Sequence, residues 1–143
     1  MTDPKTIFVD TSAWIDFILE GEQHHQPIFD YLIKEVKKGS KMLTCDYVLD
    51  ETYTRLATGQ SFSSAKILKE KVKALEAQKQ LVVLWTDEVF FDKAWLNFVK
   101  FAEHKLSFTD ALIATYAKDL KISEVLTLDQ GFAKIGLITA PTL

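Results

Sequence analysis

The 143-residue chain contains one cysteine and one arginine, and it has no long uninterrupted run of apolar residues. The single cysteine, Cys45, excludes a disulfide within the chain and any zinc site built from several cysteines. No apolar segment approaches the ~20 residues that a membrane-spanning helix requires. The first residues lack the basic stretch and apolar core of a secretory signal, so we expect a reducing, cytoplasmic location and no membrane contact.

A surplus of positive charge is also missing. Seventeen basic residues face twenty acidic ones, which leaves a net charge of −3 and a pI near 5.6. Proteins that bind nucleic acid mainly through charge are usually basic, so this balance argues against that class. It does not exclude a metal-dependent nuclease. Acids clustered around cations add negative charge to the count while the site presents positive charge to a phosphate.

The sequence has no internal repeat, low-complexity tract or Gly/Ser-rich linker that would divide it. Its apolar fraction of 48% and charged fraction of 26% are typical of a globular domain. A chain of this length suffices for one sizeable core. We therefore interpret residues 1–143 as a single domain.

Short apolar segments, mostly rich in β-branched residues, alternate with helical patterns along the chain. The predicted strands are 6–10, 41–45, 81–85, 124–128 and 137–140. The predicted helices are 12–20, 26–38, 46–58, one capped by Ser63 that runs to residue 78, 87–103 and 109–120. Strands joined by helices form right-handed crossovers. We predict an α/β protein, a three-layer α/β/α sandwich around a parallel sheet of four to five strands.

The segment 87–103 is the most aromatic part of the chain. Its aromatic residues are Phe90, Phe91, Trp95, Phe98 and Phe101. Their spacings of three, four and seven predict one wide apolar face on a helix. We interpret that face as part of the core, with a surface that meets a partner chain as the alternative.

Four acidic residues stand near the points where predicted strands give way to helices or turns: Asp10, Glu51, Asp110 and Asp129. The functional crevice of an open α/β sheet lies at the carboxyl ends of its strands, so these acids are expected to converge there. Two carboxylates ~4 Å apart repel by about 4 kcal/mol at an effective dielectric near 20. Arg55 is the only arginine available to offset them. A bound divalent cation would resolve the repulsion.

Two of these acids have an ordinary structural alternative as helix caps. Asp10 is suited to cap the helix that follows it, but Thr11 and Ser12 can cap that helix themselves, which leaves the acid spare. Asp110 follows Ser107 at the spacing of a capping box, and an acid in the first turn complements the helix dipole.

The other two acids also have structural alternatives. Asp129 opens an Asp-Gln-Gly tripeptide that is typical of a turn. Glu51 lies opposite the apolar stripe of its helix and four residues before Arg55, a spacing that favours an exposed ion pair. Asp50 is an equally placed alternative for the role of Glu51, and the helical periodicity leaves the two open.

Taken together, the segments that carry these acids resemble the motifs of PIN-domain ribonucleases, specifically the VapC-like toxins of prokaryotic toxin–antitoxin pairs. The matching segments are FVDTSAWID, LTCDYVLDETYTRL, LSFTDALIATYA and VLTLDQGF, in order and at fitting spacings over essentially the whole chain. The resemblance implies that the catalytic and metal-binding acids are Asp10, Glu51, Asp110 and Asp129. It selects Glu51 over Asp50, and it places Thr11 or Ser12 beside the first acid in an assisting role.

The activity implied by this resemblance is metal-assisted hydrolysis of RNA phosphodiester bonds. One or two Mg²⁺ ions, for which Mn²⁺ can substitute, would be held by oxygen ligands and would activate water. The family also implies a small inhibitory antitoxin whose tail crosses the active-site groove, and commonly a homodimer. Trp14, Phe17 and Tyr53 flank the acids and are candidates for that groove, with core packing as the alternative for at least one of them.

Other functions stay open beside the toxin. The chain is alternatively a stand-alone RNA-processing PIN nuclease or a non-catalytic PIN-like interaction module. A phosphotransferase of the haloacid-dehalogenase type needs a second acid two residues after the first, where this chain has Ser12. A phospho-receiver domain has a lysine at a late strand end, and the segment from Thr127 to Asp129 offers none.

Overall fold

A parallel β-sheet forms the centre of the molecule in the computed structural model, which describes residues 3–141. Its strands are β1 (Thr6–Val9), β2 (Lys41–Cys45), β3 (Leu81–Leu84), β4 (Glu124–Leu126) and β5 (Thr139–Ala140). They lie in the order β3-β2-β1-β4-β5, and every neighbouring pair is parallel. From β1 the chain adds β2 and β3 on one side of that strand, and it then returns to place β4 and β5 on the other side. This creates a topological switch point between β1 and β4.

Helices connect the strands. They are α1 (Thr11–Ile18), α2 (His25–Lys37), α3 (Asp46–Gly59), α4 (Phe62–Ala77), α5 (Glu88–Lys100), α6 (Phe108–Asp119) and α7 (Gly131–Lys134). A 3-10 turn, Ala102–His104, follows α5. The predicted α/β/α sandwich with a parallel sheet is confirmed. Within residues 3–141, no helix combines the length and apolar character needed to cross a membrane.

The start of α4 differs from the prediction. Its capping residue is Ser61, whose side-chain oxygen accepts a hydrogen bond from the backbone N–H of Ser64 at 3.2 Å. Ser63 lies inside the helix, and Phe62 is 70% exposed. The predicted cap at Ser63 was therefore wrong. Three serines within four residues offer several possible caps, and the local sequence does not decide among them.

The core lies on both faces of β1. Ile7, Phe8 and Val9 are completely buried, as expected for a central strand covered by helices on each side. Trp14 on α1 is also completely buried, and its indole N–H donates to the hydroxyl of Thr44 at 3.1 Å. Trp14 is thus a core residue rather than part of a surface groove. By anchoring the first turns of α1, it fixes the chain that follows Asp10.

Helix α5 is mostly uncovered. The prediction that its aromatic face forms core was wrong for Phe91 and Trp95, which are 39% and 52% exposed, whereas Phe90, Phe98 and Phe101 are partly buried. Its inner side packs on α6, where the ring of Phe90 stacks on Tyr116 with centroids 4.3 Å apart. The side turned away from α6 is exposed. We call it the outer α5 face; its residues, with exposed fractions of 52–69%, are Val89, Trp95, Leu96 and Val99. Helix α5 follows β3, an edge strand of the sheet.

Candidate functional site

A pocket of about 380 Å³ opens beside the carboxyl ends of β1 and β4. Its lining residues are Asp10, Thr11, Ser12, Glu51, Arg55, Ser107, Asp110, Leu128 and Asp129. The structure therefore brings together all six residues that the sequence singled out, from segments as far apart as 119 positions in the chain. The topological switch point explains the convergence, because β1 and β4 are neighbours in the sheet although they are distant in sequence.

Asp10 is the most deeply buried of the four acids, with 6% exposure. Its backbone N–H donates to the carbonyl of Leu126 at 3.0 Å, which pins the end of β1 against β4. It occupies the capping position of α1, yet its side chain makes no capping hydrogen bond. Instead its Oδ2 accepts a hydrogen bond from the hydroxyl of Thr127 at 2.8 Å. The carboxylate is thus spare with respect to the helix, as the sequence indicated.

Burial raises the pKa of Asp10 from 3.8 to about 6. Hydrogen bonds from the Thr127 side chain and the Thr11 backbone partly offset this rise, and the negative charges of Asp110 and Glu51 add to it. Desolvation and like charge both disfavour the ionised carboxylate. Perturbed pKa values of this kind cluster at functional sites.

Glu51 reaches the pocket from α3. Its Oε1 accepts a 2.6 Å hydrogen bond from the hydroxyl of Thr11, and its Oε2 lies 3.5 Å from Nη2 of Arg55. Glu51 therefore makes the predicted ion pair with Arg55 and also contacts Thr11, the residue after Asp10. Asp50 is exposed and does not line the pocket. Of these two acids, which helical periodicity left open, Glu51 is the one that lines the pocket.

Asp110 completes the capping box of α6, whose capping residue is Ser107, and it also lines the pocket. Its backbone N–H donates to the Ser107 hydroxyl at 3.0 Å, and its Oδ2 accepts from the Ser107 backbone N–H at 3.2 Å, which completes the predicted capping box. Burial raises the pKa of Asp110, the hydrogen bonds with Ser107 lower it, and the charges of Asp129 and Glu51 raise it further. The structural role of this acid therefore does not remove it from the cluster.

Asp129 sits in the turn that its sequence predicted. Its Oδ1 accepts from the backbone N–H of Gly131 at 2.8 Å. A Cβ at Gly131 would lie only 3.1 Å from that same oxygen, so the tight turn favours glycine there. Asp129 is exposed at the mouth of the pocket. Next to it, the backbone N–H of Leu128 donates to the Ser12 hydroxyl at 3.0 Å.

The pocket contains carboxylate and hydroxyl oxygens suited to bind a metal ion, but in the described residues they are not gathered into a complete ligand group. Across residues 3–141, no three acidic, histidine or cysteine side chains already form a group able to hold a metal ion. Two of the four acids, Asp110 and Asp129, each use one oxygen for a cap or a turn.

Thr127 is the site residue that the sequence did not reveal. It does not line the pocket, but its buried hydroxyl contacts Asp10 and the backbone of Asp129. A threonine within Val-Leu-Thr-Leu is typical of a strand, so its pattern carries no functional signal. Its position two residues before an acid at a strand end is the one feature that could have drawn attention to it.

Comparison with known proteins places the chain in a structural context. The profile of the PIN domain family matches residues 7–137. The sarcin–ricin-loop-cleaving toxin VapC20 of Mycobacterium tuberculosis superposes with a TM-score of 0.79 at 23% identity, covering 92% of this chain and 96% of that one. VapBC2 of Rickettsia felis, bound to a DNA fragment from its promoter, gives a TM-score of 0.70 at 14% identity, covering 94% and 97%.

A third solved structure, FitAcB of Neisseria gonorrhoeae, gives a TM-score of 0.65 at 16% identity, covering 94% of this chain and 96% of that one. At these identities the three likenesses establish the fold alone. A search among curated proteins returned no match.

Proposed function

Because this chain belongs to the PIN domain family, we propose that it is a metal-dependent endoribonuclease and the toxin of a toxin–antitoxin pair. The observation that carries the proposal is the convergence of Asp10, Glu51, Asp110 and Asp129 on one pocket. Within residues 3–141, Arg55, whose side chain is 58% exposed, is the only basic residue that lines this pocket. The chemistry follows from what these groups can hold and orient.

The donor set fits Mg²⁺, with Mn²⁺ as a substitute. Hard divalent cations prefer oxygen ligands, and the pocket offers carboxylates and hydroxyls. Burial is the main cause of the raised pKa values of Asp10 and Asp110, and neighbouring carboxylates add to it; a bound cation would offset both effects. Asp10 and Asp110 would hold the principal ion, while Glu51 and Asp129 complete the shell directly or through water. When bound, the metal polarises the phosphate and lowers the pKa of a coordinated water.

The protein's own groups then position the reactants. Asp10 stands on a rigid strand end, which suits a primary ligand. Glu51 is held by the hydroxyl of Thr11, and in this position it orients the attacking water beside the metal-binding acids. The guanidinium of Arg55 can donate two parallel hydrogen bonds to two oxygens of a phosphate. Hydrolysis of this type leaves a 5′-phosphate on the product.

Neighbouring acids on α3 provide a matched pair for the test. Glu51 lines the pocket and Asp50 does not. We expect Glu51→Gln to lose RNA cleavage by at least about 100-fold, the scale typical for loss of a positioned acid–base group, and Asp50→Asn to cleave like the wild type. The assay is Mg²⁺-dependent cleavage with mapping of new 5′ ends.

Asp10→Asn and chelation of the metal serve as controls in that assay, and both should abolish cutting. Equal rates for Glu51→Gln and wild type under matched metal would remove Glu51 from the site. Equal rates for all variants and the wild type would point to a contaminating nuclease. A protein that binds a partner yet cleaves no RNA in any form would instead be a non-catalytic PIN-like interaction module.

The proposed partners are a small antitoxin and a second copy of the chain. Phe17 and Tyr53, which flank the acids in sequence, are partly buried and stay candidates for the groove that an antitoxin tail crosses. The outer α5 face offers apolar surface for a homodimer, because large exposed patches mark interaction sites. A cytoplasmic location agrees with this function.

A further inference from the structure

The hydroxyl of Thr127 connects two of the pocket's acids. Its Oγ1 donates to Asp10 Oδ2 at 2.8 Å and accepts from the backbone N–H of Asp129 at 2.9 Å. The hydroxyl of Ser12 lies 3.3 Å away. A threonine hydroxyl has one proton and two acceptor sites, so Ser12 acts as the donor in that third contact. The hydrogen-bonding capacity of Thr127 is therefore filled entirely by the site.

Both residues of the hydrogen bond between Thr127 and Asp10 are held by the backbone of the sheet. Thr127 is 5% exposed, and its backbone N–H donates to the carbonyl of Ala140 at 2.9 Å. The backbone N–H of Asp10 is bonded to Leu126. Because both backbones are anchored, the 2.8 Å hydrogen bond from the Thr127 hydroxyl leaves the Asp10 carboxylate little freedom to rotate. Groups that orient metal-binding carboxylates act in this way.

Other contacts also hold the segment around Thr127 in place. The turn after β4 is closed by the contact between Asp129 and Gly131, and Leu128 is bonded separately to Ser12. Pairing of β4 with β1 and β5 uses backbone atoms. Valine has nearly the shape of threonine without the hydroxyl, so it can test the hydroxyl alone.

We propose that Thr127 is a positioning residue for the metal site. Its hydroxyl sets the orientation of the Asp10 carboxylate and couples it to the turn that carries Asp129. Thr127 does not itself touch the substrate or the metal. This inference rests on the proposed nuclease function and extends it to a residue outside the acidic motifs.

The test compares Thr127→Val with Thr127→Ser. We expect Thr127→Val to lower kcat and to weaken Mn²⁺ binding, each by about 10- to 100-fold, as losses of such orienting groups do. KM for RNA should stay unchanged, because Thr127 is buried and does not line the pocket. Thr127→Ser should restore both quantities toward wild type. Thr52→Val is the matched control: Thr52 is also buried, but its hydroxyl donates within α3, to the carbonyl of Val48 at 2.7 Å.

Each outcome decides the proposal. Thr127→Val with wild-type kcat and Mn²⁺ affinity overturns it, and so does Thr127→Ser with the same loss as Thr127→Val, since shape would then be the cause. Thermal unfolding of all variants separates misfolding from mispositioning, and the serine variant keeps the test valid if valine unfolds the protein. Wild-type protein that cleaves no RNA overturns the nuclease instead. In that case Mn²⁺ titration by itself decides the role of Thr127, and equal Mn²⁺ affinities of Thr127→Val and the wild type count against the proposal.

Discussion

Among single residues, Asp10 shows how a site can cost the fold stability. Its carboxylate is 6% exposed, its pKa lies near 6, and the other acids stand nearby. Because the folded-state pKa lies above the unfolded value of 3.8, the native state binds the proton more tightly. The stabilising contribution is therefore present below about pH 4 and is lost as pH rises through 6. At pH 7 the ionised group destabilises the fold.

We expect Asp10→Asn to raise the free energy of unfolding at pH 7 by about 1–3 kcal/mol, since a displacement of this size corresponds to about 3 kcal/mol at most. The measurement is urea unfolding in the presence of a chelator between pH 4 and 8. The wild type should lose stability relative to the variant as pH rises through this range. Parallel curves, or a less stable variant, would mean that Asp10 is not held in an unfavourable ionised state.

The sequence predicted the roles of these residues where the neighbouring residues formed a recognisable local motif. Asp10 was identifiable as a spare acid because two hydroxyls followed it. Asp110 and Asp129 fulfil the cap and the turn that their neighbours predicted, and they also line the pocket. Glu51 was ambiguous because helical periodicity separates core from surface only, and the pocket lies on the side away from the apolar stripe. Thr127 gave no signal, since its role exists only through contacts 117 positions away.

Among the elements, α5 marks the limit of periodicity as a guide. Its apolar spacing predicted a helix with a wide apolar face. Nothing in the spacing could tell whether another element covers that face. Here Phe90 packs on Tyr116 of α6, whereas Trp95 is 52% exposed and lies on the outer α5 face, which does not enter the core. Such an uncovered helix face is suited to self-association.

We expect the wild type to be a dimer in solution and Leu96→Glu to be a monomer, because a charge in an apolar interface loses its hydration. Light scattering coupled to size exclusion measures the mass of each. Ile138→Glu is the control. Ile138 is 67% exposed, a fraction similar to the 69% of Leu96, and it lies outside α5. Both substitutions should leave the melting temperature nearly unchanged, as exposed positions do. A monomeric wild type, or a dimer that survives Leu96→Glu, would exclude this face as the interface.

At the scale of the whole molecule, the sheet order β3-β2-β1-β4-β5 is what assembles the site. Alternation of strands and helices was enough to predict a parallel sheet and to expect acids at its carboxyl edge. It could not give the strand order, which depends on packing between segments far apart in sequence. The return of the chain to the free side of β1 places Asp129 beside Asp10. Four weak local signals therefore become one pocket only in three dimensions.

The whole-molecule function has a test in cells. Expression of the chain alone should slow growth through RNA cleavage, and Asp10→Asn should not. Co-expression of a small adjacent reading frame should relieve the arrest and yield a complex that purifies as one species. New 5′ ends mapped with and without the mutation identify the cleaved RNA. Cleavage without any such partner would leave a stand-alone RNA-processing nuclease.

Arg55 gives the molecule an unusual chemical simplicity. The chain has one guanidinium, it is more than half exposed, and it lines the acidic pocket. A dicarbonyl reagent such as phenylglyoxal, which labels arginine selectively, therefore has a single guanidinium to modify. Its adduct, read by mass spectrometry, becomes a footprint of whatever occupies the pocket, and protection of one peptide reports occupancy without any engineered probe.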